Sequence, residues 1–330
     1  MTAGAGAADG SGAAEGSGAA AGWAPDRLPD LRGRTAVVTG ANSGLGLATS
    51  TALAAAGASV VMTSRDAQRG RTAADAVLSR VPGARVEVRP LDLASLDSVA
   101  GFAADLDRDL DALHLLVNNA GVMATPLRRT ADGFELQLGT NHLGHFALTG
   151  RLLRLLRAAE PADVRVVTVS SLAHNAGTID RADLNWERRY RRWPAYGRSK
   201  LANLLFTYEL ARRLATAGSS VRAVAAHPGL AASNLFSGSF LGLPAVVGRA
   251  GNALASVVAQ PAAAGAWPTL RAATDPEVQS GEYLGPGGLG ESRGPATRVR
   301  SSAAAHSLDD AGWLWQESER LTGTVFDLPS

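Results

Sequence analysis

Tyr196 and Lys200 are the two residues whose types and spacing best suit proton transfer, and they stand four positions apart in the run YGRSK. On a helix this spacing places the phenol and the ammonium on one face, about one turn and ~6 Å of rise apart. A free tyrosine has a pKa near 10, which must fall by about three for ready proton exchange near neutral pH. A neighbouring ammonium lowers that pKa because it stabilises the phenolate. The pair predicts a tyrosine that acts as acid and base.

Lys200 is also the single lysine of the chain, beside 31 arginines. An ammonium is compact and titratable, whereas a guanidinium is a permanently charged planar fork. A lysine retained by chance on a solvated surface is the alternative interpretation. Its position on a helix that follows the fifth predicted strand favours a chemical role.

The elements that must position this pair alternate along the chain from Arg34 onward, short β-branched runs with longer helical ones. The predicted strands are residues 35–39, 59–63, 85–89, 113–117, 164–170 and 221–226. The predicted helices are residues 44–56, 67–79, 96–106, 133–158 and 195–217, followed by a helix at 261–273, a short strand at 282–284 and a helix at 307–321. This order predicts an α/β fold, a Rossmann-type doubly wound parallel sheet with helices on both faces, in a single domain spanning residues 23–330.

Two segments stand outside this pattern. Residues 1–22 are almost entirely Ala, Gly and Ser, and we expect a disordered tail that is neither a signal peptide nor a membrane anchor. Residues 230–258 form the most apolar stretch, interrupted by Gly, Pro244 and Arg249, and we expect a lid over the substrate pocket. We predict no membrane span.

Composition excludes several functional classes. The 330 residues carry a formal net charge of +2 and are 46% hydrophobic, which favours a folded protein that does not bind nucleic acid. There is no cysteine, so disulfides, thiolate metal sites and cysteine nucleophiles are excluded. This composition fits the cytoplasm.

The first predicted strand runs into a glycine-rich loop and then directly into a helix. Such a loop places backbone N–H groups and the positive end of the helix beside a pyrophosphate, which predicts a dinucleotide cofactor. The loop residues predicted to bind it are Gly40, Asn42, Ser43, Gly44, Leu45 and Gly46.

The end of the second predicted strand indicates which dinucleotide is bound. A ribose 2'-hydroxyl calls for a carboxylate there, whereas a 2'-phosphate calls for a cation and hydroxyl groups. The strand ends in Thr63 and Ser64, followed by Arg65, and Asp66 suits a helix cap better than a ribose ligand. The sequence therefore favours NADP(H) over NAD(H).

Several independent motifs then appear in a fixed order. They are TGANSGLG from Thr39, Asp92 in LDL, NNAG from Asn118, NHLGHF from Asn141, SSLAH from Ser170, YGRSK from Tyr196 and HPG from His227. Over residues 31–325 the chain resembles the short-chain dehydrogenase/reductase family in its TGxxxGxG branch, and within it the retinol dehydrogenase and protochlorophyllide reductase-like group.

The resemblance implies a role for each motif. Tyr196 is the acid/base, Lys200 anchors the ribose hydroxyls, Ser171 donates to the substrate oxygen, and Asn141 holds a water that connects the lysine to solvent. The resemblance also implies further cofactor contacts. Asp92 hydrogen-bonds the adenine, with Leu93 beside it. The residues on the adenosine side are Asn118, Asn119, Ala120 and Gly121, and those beside the nicotinamide are Pro228, Gly229 and Ser233. The implied activity interconverts a carbonyl and an alcohol, with reduction of a lipophilic aldehyde or ketone favoured. A homodimer is a further possibility from the family.

Other interpretations compete with parts of this one. A light-driven C=C reductase of the protochlorophyllide type relies on cysteines, and a non-catalytic NADP(H)-sensing module would typically have lost the tyrosine and lysine. Two further features have a structural interpretation. Four histidines are predicted to be core residues and not metal ligands: His142, His145, His174 and His227. The arginine-rich run 188–192 is predicted to be a solvated cluster within an insertion at 175–194. Apolar residues predicted to wall the pocket are Met123, Leu235, Phe236, Phe240 and Leu241.

Overall fold

The structure is a computed structural model that describes residues 23–230 and 261–328. The predicted tail, most of the predicted lid, Ser233 and the four wall residues from Leu235 to Leu241 lie outside these ranges. Among the described helices, none combines the length and apolarity needed to cross a bilayer.

Eight strands form one sheet in the order β3-β2-β1-β4-β5-β6-β7-β8. Neighbouring strands are parallel except for β7 and β8, which are antiparallel. The strands are β1 (Thr35–Val38), β2 (Ser59–Ser64), β3 (Arg85–Pro90), β4 (Leu115–Asn118), β5 (Arg165–Val169), β6 (Arg222–Ala226), β7 (Tyr283–Pro286) and β8 (Ala296–Arg298). The predicted fold class and all seven predicted strands are confirmed, whereas β8 was not predicted.

Helices cover both faces of the sheet. They are α1 (Gly44–Ala55), α2 (Ala67–Arg80), α3 (Leu96–Asp109), α4 (Leu136–Leu138), α5 (Gly144–Ala158), α6 (Arg192–Thr216), α7 (Ala262–Gly265), α8 (Trp267–Thr274) and α9 (Leu308–Thr322). Side chains alternate along the strands, so that Val37 packs with α3, α5 and α6 while Val38 packs with α1, α2 and α8. The continuous apolar runs of the sequence follow from burial on both faces.

Three predicted helices differ in detail. The helix predicted at 133–158 begins only at α4, because Gly133 has a φ of +85° in a turn, and a π-helical turn at Gly139–Leu143 separates α4 from α5. The helix predicted at 261–273 is divided into α7 and α8. The helix predicted to begin at residue 195 begins at Arg192, with Pro194 in its first turn, where proline is tolerated.

The order of strands reverses between β1 and β4, since β1 connects outward to β2 and β3 while β4 begins the other half. In such sheets a crevice opens at the carboxyl ends of the strands near this reversal. The loops after β1, β4 and β5 therefore meet at one edge of the sheet, together with the start of α6.

Candidate active site

The glycine loop after β1 is shaped by close backbone contacts. Gly40 has a φ of +63°, and a Cβ there would lie 2.9 Å from the Cβ of Ala120. A Cβ on Gly46 would lie 2.5 Å from the carbonyl oxygen of Gly40 and 2.6 Å from Nδ2 of Asn119. Ser43, which precedes α1, makes no side-chain capping bond to the first turn. The loop is thus a backbone cradle whose first-turn N–H groups suit a phosphate.

A cleft of about 260 Å³ opens over this loop. Thirteen residues predicted to bind the cofactor line it: Gly40, Asn42, Ser43, Gly44, Leu45, Gly46, Ser64, Arg65, Asp92, Leu93, Asn119, Ala120 and Gly121. The backbone cradle fits the pyrophosphate of a dinucleotide, and Arg65 adds a positive charge to the lining. Leu91, Val122 and Thr140 also line the cleft and were not predicted.

Thr39 connects the glycine loop to the NNAG segment. Its Oγ1 accepts hydrogen bonds from the backbone N–H groups of Asn119 and Ala120, both at 2.9 Å. The side-chain Nδ2 of Asn119 donates to the carbonyl oxygen of Thr39 at 2.8 Å. Asn118 is fully buried, donates to Thr149 Oγ1 at 3.0 Å and is not among the residues that line the cleft, while its predicted part in cofactor binding stays a prediction.

The side chains of Ser64, Arg65 and Asp66, at the end of β2, have different roles. Ser64 is buried, and its hydroxyl donates to the carbonyl oxygen of Asp66 at 2.8 Å. Asp66 caps α2, because its Oδ1 accepts from the N–H of Arg69 at 3.0 Å. Arg65 is exposed at the rim of the cleft. The charge that faces the cleft at this point is therefore that of Arg65.

A second pocket, of about 220 Å³, contains the predicted catalytic side chains Ser171, Tyr196 and Lys200. It shares Leu45, Asn119, Gly121 and Val122 with the cleft, so the two form one continuous groove. Lys200 Nζ lies 5.8 Å from the centre of the Tyr196 ring. The phenol and the ammonium thus meet in one pocket, as the helical spacing predicts.

Burial dominates the acidity of Tyr196. Desolvation raises the pKa of Tyr196 to about 12, and a hydrogen bond with the Ser171 side chain only partly opposes this rise. The expected lowering toward neutrality is therefore wrong for the protein groups alone, because a 7% exposed phenol is costly to ionise. Tyr196 remains protonated at neutral pH.

Hydrogen bonds at the end of β5 fix the position of Lys200. Its Nζ donates to the carbonyl oxygen of Val169 at 2.9 Å, and its own carbonyl oxygen accepts from Ser170 Oγ at 2.8 Å. Burial lowers the pKa of Lys200 to about 8. A Cβ on Gly121 would lie 3.6 Å from Nζ, which places the amine at the junction of the cleft and the pocket.

Asn141 lies in the π-helical turn and is fully buried. Its Oδ1 accepts from the N–H of Val122 at 2.8 Å, and its Nδ2 donates to Ser199 Oγ at 2.9 Å. Its carbonyl oxygen accepts from Nδ1 of His145 at 3.0 Å. The side chain therefore braces Val122 and α6 and lines neither cavity, while its predicted part in a water relay stays a prediction.

The turn at Pro228 and Gly229 forms part of the wall of the second pocket, and its contact with the nicotinamide stays a prediction. The N–H of Gly229 donates to Nδ1 of His227 at 3.2 Å, so Nε2 carries the proton of a neutral ring. That Nε2 donates to Glu291 at 2.9 Å. His227 thus anchors the turn to the segment after β7.

The histidines are engaged with protein groups. Within residues 23–230 and 261–328, no three His, Asp or Glu side chains are grouped to hold a metal ion. His142 bonds Ser318 Oγ at 2.9 Å, and His174 Nδ1 donates to the carbonyl oxygen of Ser171 at 2.7 Å. His174 therefore helps to fix Ser171.

Sequence reasoning missed Trp193 in the second pocket, whereas Leu230, which also lines it, is the first residue of the predicted lid. Trp193 contacts Tyr196 edge to face, with ring centres 6.4 Å apart. The signal was present, since residues three apart on a helix share a face, but Trp193 had been assigned to the insertion.

A chain with a doubly wound sheet, a backbone cradle at the β1 edge and a Ser, Tyr and Lys pocket beside it has the architecture of a dinucleotide-dependent oxidoreductase. Residues 34–240 match the short chain dehydrogenase family, and the chain belongs to that family.

Similar proteins agree with this placement. Human retinol dehydrogenase 12 is 48% identical over 205 residues, which cover 62% of this chain and 64% of the relative. Mouse polyprenol dehydrogenase is 41% identical over 309 residues, covering 91% of this chain and 87% of the relative. A crystal structure of an uncharacterised protein from Mycobacterium paratuberculosis is 44% identical, with a TM-score of 0.76 over 93% of this chain and all of that one.

Proposed function

We propose that the protein is an NADP(H)-dependent oxidoreductase that reduces a lipophilic aldehyde or ketone to the alcohol. The observation that carries this proposal is the single pocket that contains Ser171, Tyr196 and Lys200 and opens into the cofactor cleft. Apolar side chains surround these three polar groups, among them Val122, Met123 and Leu172. Such a wall suits an apolar substrate with one polar carbonyl.

The residues of the chain take distinct parts in this reaction. The cofactor, when bound, supplies the hydride that the carbonyl carbon accepts. The Ser171 hydroxyl donates a hydrogen bond that holds the carbonyl oxygen and stabilises the negative charge developing there. Tyr196 gives its phenolic proton to that oxygen, so the C=O bond becomes CH–OH, and a proton from solvent restores the phenol. Lys200 holds the ribose hydroxyls and stabilises the phenolate after transfer.

Tyr196 enters the reductive reaction in its protonated form. Burial raises the pKa of Tyr196 to about 12, so the phenol carries its proton at neutral pH. The same burial opposes the phenolate that reduction leaves behind, and the adjacent Lys200 ammonium opposes this cost. The pKa of Tyr196 does not set the direction of the reaction, which follows the ratio of reduced to oxidised cofactor, and we propose reduction.

The choice of NADP(H) is supported by the end of β2. Arg65 is exposed at the rim of the cleft, and the nearest carboxylate, that of Asp66, caps α2 through Arg69. An arginine fork matches a 2'-phosphate, and a carboxylate suited to a 2'-hydroxyl does not line this part of the described cleft.

The test is consumption of NADPH, followed by its absorbance, with a panel of lipophilic aldehydes and ketones, including retinal and polyprenals. The proposal predicts turnover with NADPH that exceeds turnover with NADH at equal concentration. Tight NADPH binding without turnover of any panel member would contradict it and favour the sensing module.

A further inference from the structure

A third recess adjoins the proposed substrate pocket. It encloses about 480 Å³ and is lined by Pro126, Leu127, Tyr190, Arg191, Arg192, Trp193 and Pro194. Trp193 lines both this recess and the pocket of Tyr196, so the two cavities meet at its ring. We call this recess the arginine groove. Two of its lining residues are arginines, and the others are apolar or aromatic.

The arginine groove is fixed by partly buried hydrogen bonds. Gln137 is fully buried, and its Nε2 donates to Tyr190 Oη at 2.8 Å and to the carbonyl oxygen of Arg192 at 2.9 Å. Tyr190 in turn donates to the carbonyl oxygen of Thr125 at 2.8 Å. The side-chain oxygen of Gln137 accepts from the N–H of Ala124 at 2.7 Å. The side-chain amide of Gln137 therefore binds both the segment of Ala124 and the segment of Tyr190 and Arg192, which gives the groove a defined shape.

Among the described residues, no acidic side chain lines the arginine groove. Arg191 and Arg192 form no ion pair with any described residue. The neighbouring carboxylates are engaged, since Glu187 pairs with Arg129 and Glu135 accepts from the N–H groups of Gln137 and Leu138. Two exposed arginines beside apolar lining residues suit a carboxylate at the end of a hydrocarbon chain.

The spacing along α6 relates this charge to the reaction centre. Arg192 and Tyr196 are four residues apart, one helical turn or about 6 Å of rise. Their side chains extend further, so a substrate that reaches both must carry its carboxylate several bonds away from its carbonyl. Trp193 lines both the arginine groove and the pocket of Tyr196.

We propose that the arginine groove binds the carboxylate end of an amphiphilic carbonyl substrate. The carbonyl lies at Ser171 and Tyr196, the apolar chain passes Trp193, and Arg191 and Arg192 bind the carboxylate. The proposal rests on the proposed function and names the substrate class of the same site. The arginines of the run 188–192 are exposed, as predicted for a solvated cluster, and the proposal adds a role for the two that line the groove.

The test compares a long-chain ω-oxo carboxylate with its methyl ester, which has the same chain and carbonyl and lacks the charge. We expect kcat/KM to be about tenfold higher for the acid, mainly through KM, and the preference to decline with added salt. The double variant Arg191→Gln/Arg192→Gln should bring the ratio of acid to ester close to one and leave the ester unchanged. Equal kcat/KM for acid and ester in the unaltered protein, or the same preference in the double variant, would overturn the proposal.

A matched control removes the same charge elsewhere. Arg80 and Arg157 are exposed near the ends of α2 and α5, at the opposite edge of the sheet. The double variant Arg80→Gln/Arg157→Gln should keep the preference for the acid. Loss of the preference in this control as well would assign it to net charge and overturn a specific site.

A binding measurement separates this proposal from the proposed function. Calorimetry with the long-chain ω-hydroxy carboxylate requires no turnover, and we expect its affinity to fall at least fivefold in Arg191→Gln/Arg192→Gln. If neither acid nor ester is reduced but this loss of affinity is seen, the proposed function fails and the groove stands. If the ester is reduced and the affinity does not change, the groove fails alone.

Discussion

Oγ1 of Thr39 lies 2.9 Å from Nε2 of His145, which joins the cofactor cleft to the turn that holds Asn141. The carbonyl oxygen of Asn141 can only accept, so Nδ1 of the ring carries a proton. Because burial keeps this ring neutral, Nε2 must accept, and the Thr39 hydroxyl donates to it. The same Oγ1 accepts two backbone N–H groups. One hydroxyl therefore satisfies three partners.

We expect Thr39→Val to destabilise the protein by about 1 to 3 kcal/mol, because it leaves buried donors and an acceptor without a partner. Thr39→Ser keeps the hydroxyl and should lose less, about 1 kcal/mol for the missing methyl group. Urea unfolding of both variants at pH 7 measures the difference. Equal losses in the two variants would show that the hydroxyl contributes nothing.

The two buried histidines of the NHLGHF motif predict a dependence of stability on pH. Burial lowers the pKa of His142 to about 3 and that of His145 to about 4, from an ordinary value of 6.5. Between about pH 6.5 and pH 4 the unfolded chain binds protons that the folded chain excludes. Stability is therefore full above pH 6.5 and falls as the pH drops, by about 1.4 kcal/mol per pH unit for each histidine.

His145→Gln removes one of these titrating groups. We expect the slope of unfolding free energy against pH in this interval to be smaller in the variant by about 1.4 kcal/mol per pH unit. Urea unfolding at several pH values gives both slopes. An unchanged slope would mean that His145 is protonated in the folded protein.

The cofactor preference is tested at Arg65. Arg65→Asp should weaken NADPH binding by about 1 to 3 kcal/mol, the range for a charge-assisted hydrogen bond, and change NADH binding less. Titration of both cofactors by fluorescence measures this. NADPH binding as tight as in the unaltered protein would refute the assignment of Arg65 to the 2'-phosphate.

The sequence predicts the fold well because burial on both faces leaves a strong pattern. The buried strands appear in the sequence as continuous apolar runs. The loop from Thr39 to Gly46 requires glycine at position 46, because a Cβ there would clash with Gly40 and Asn119. Strand β8 was missed because it is three residues long and pairs only with β7 at the sheet edge. Such a strand has no periodic signal of its own.

The sequence predicts the site well where the chemistry requires a particular residue type. It predicts the site less well where packing determines which way a side chain points and how deeply it is buried. Tyr196 and Lys200 share a pocket as their helical spacing requires. Asn118 belongs to a motif but turns to Thr149, and the acidity of Tyr196 depends on its burial, which no spacing reveals. The arginine groove depends on hydrogen bonds of Gln137 between distant segments.

Tyr196 transfers the proton, whereas cofactor binding does not depend on its hydroxyl. Single-turnover reduction of a lipophilic aldehyde by Tyr196→Phe, measured beside NADPH affinity, separates these two roles. We expect unchanged affinity and a rate at least about 100-fold lower, because the phenolic proton is lost while the ring remains. A rate within a few fold of the unaltered protein would contradict proton transfer by Tyr196.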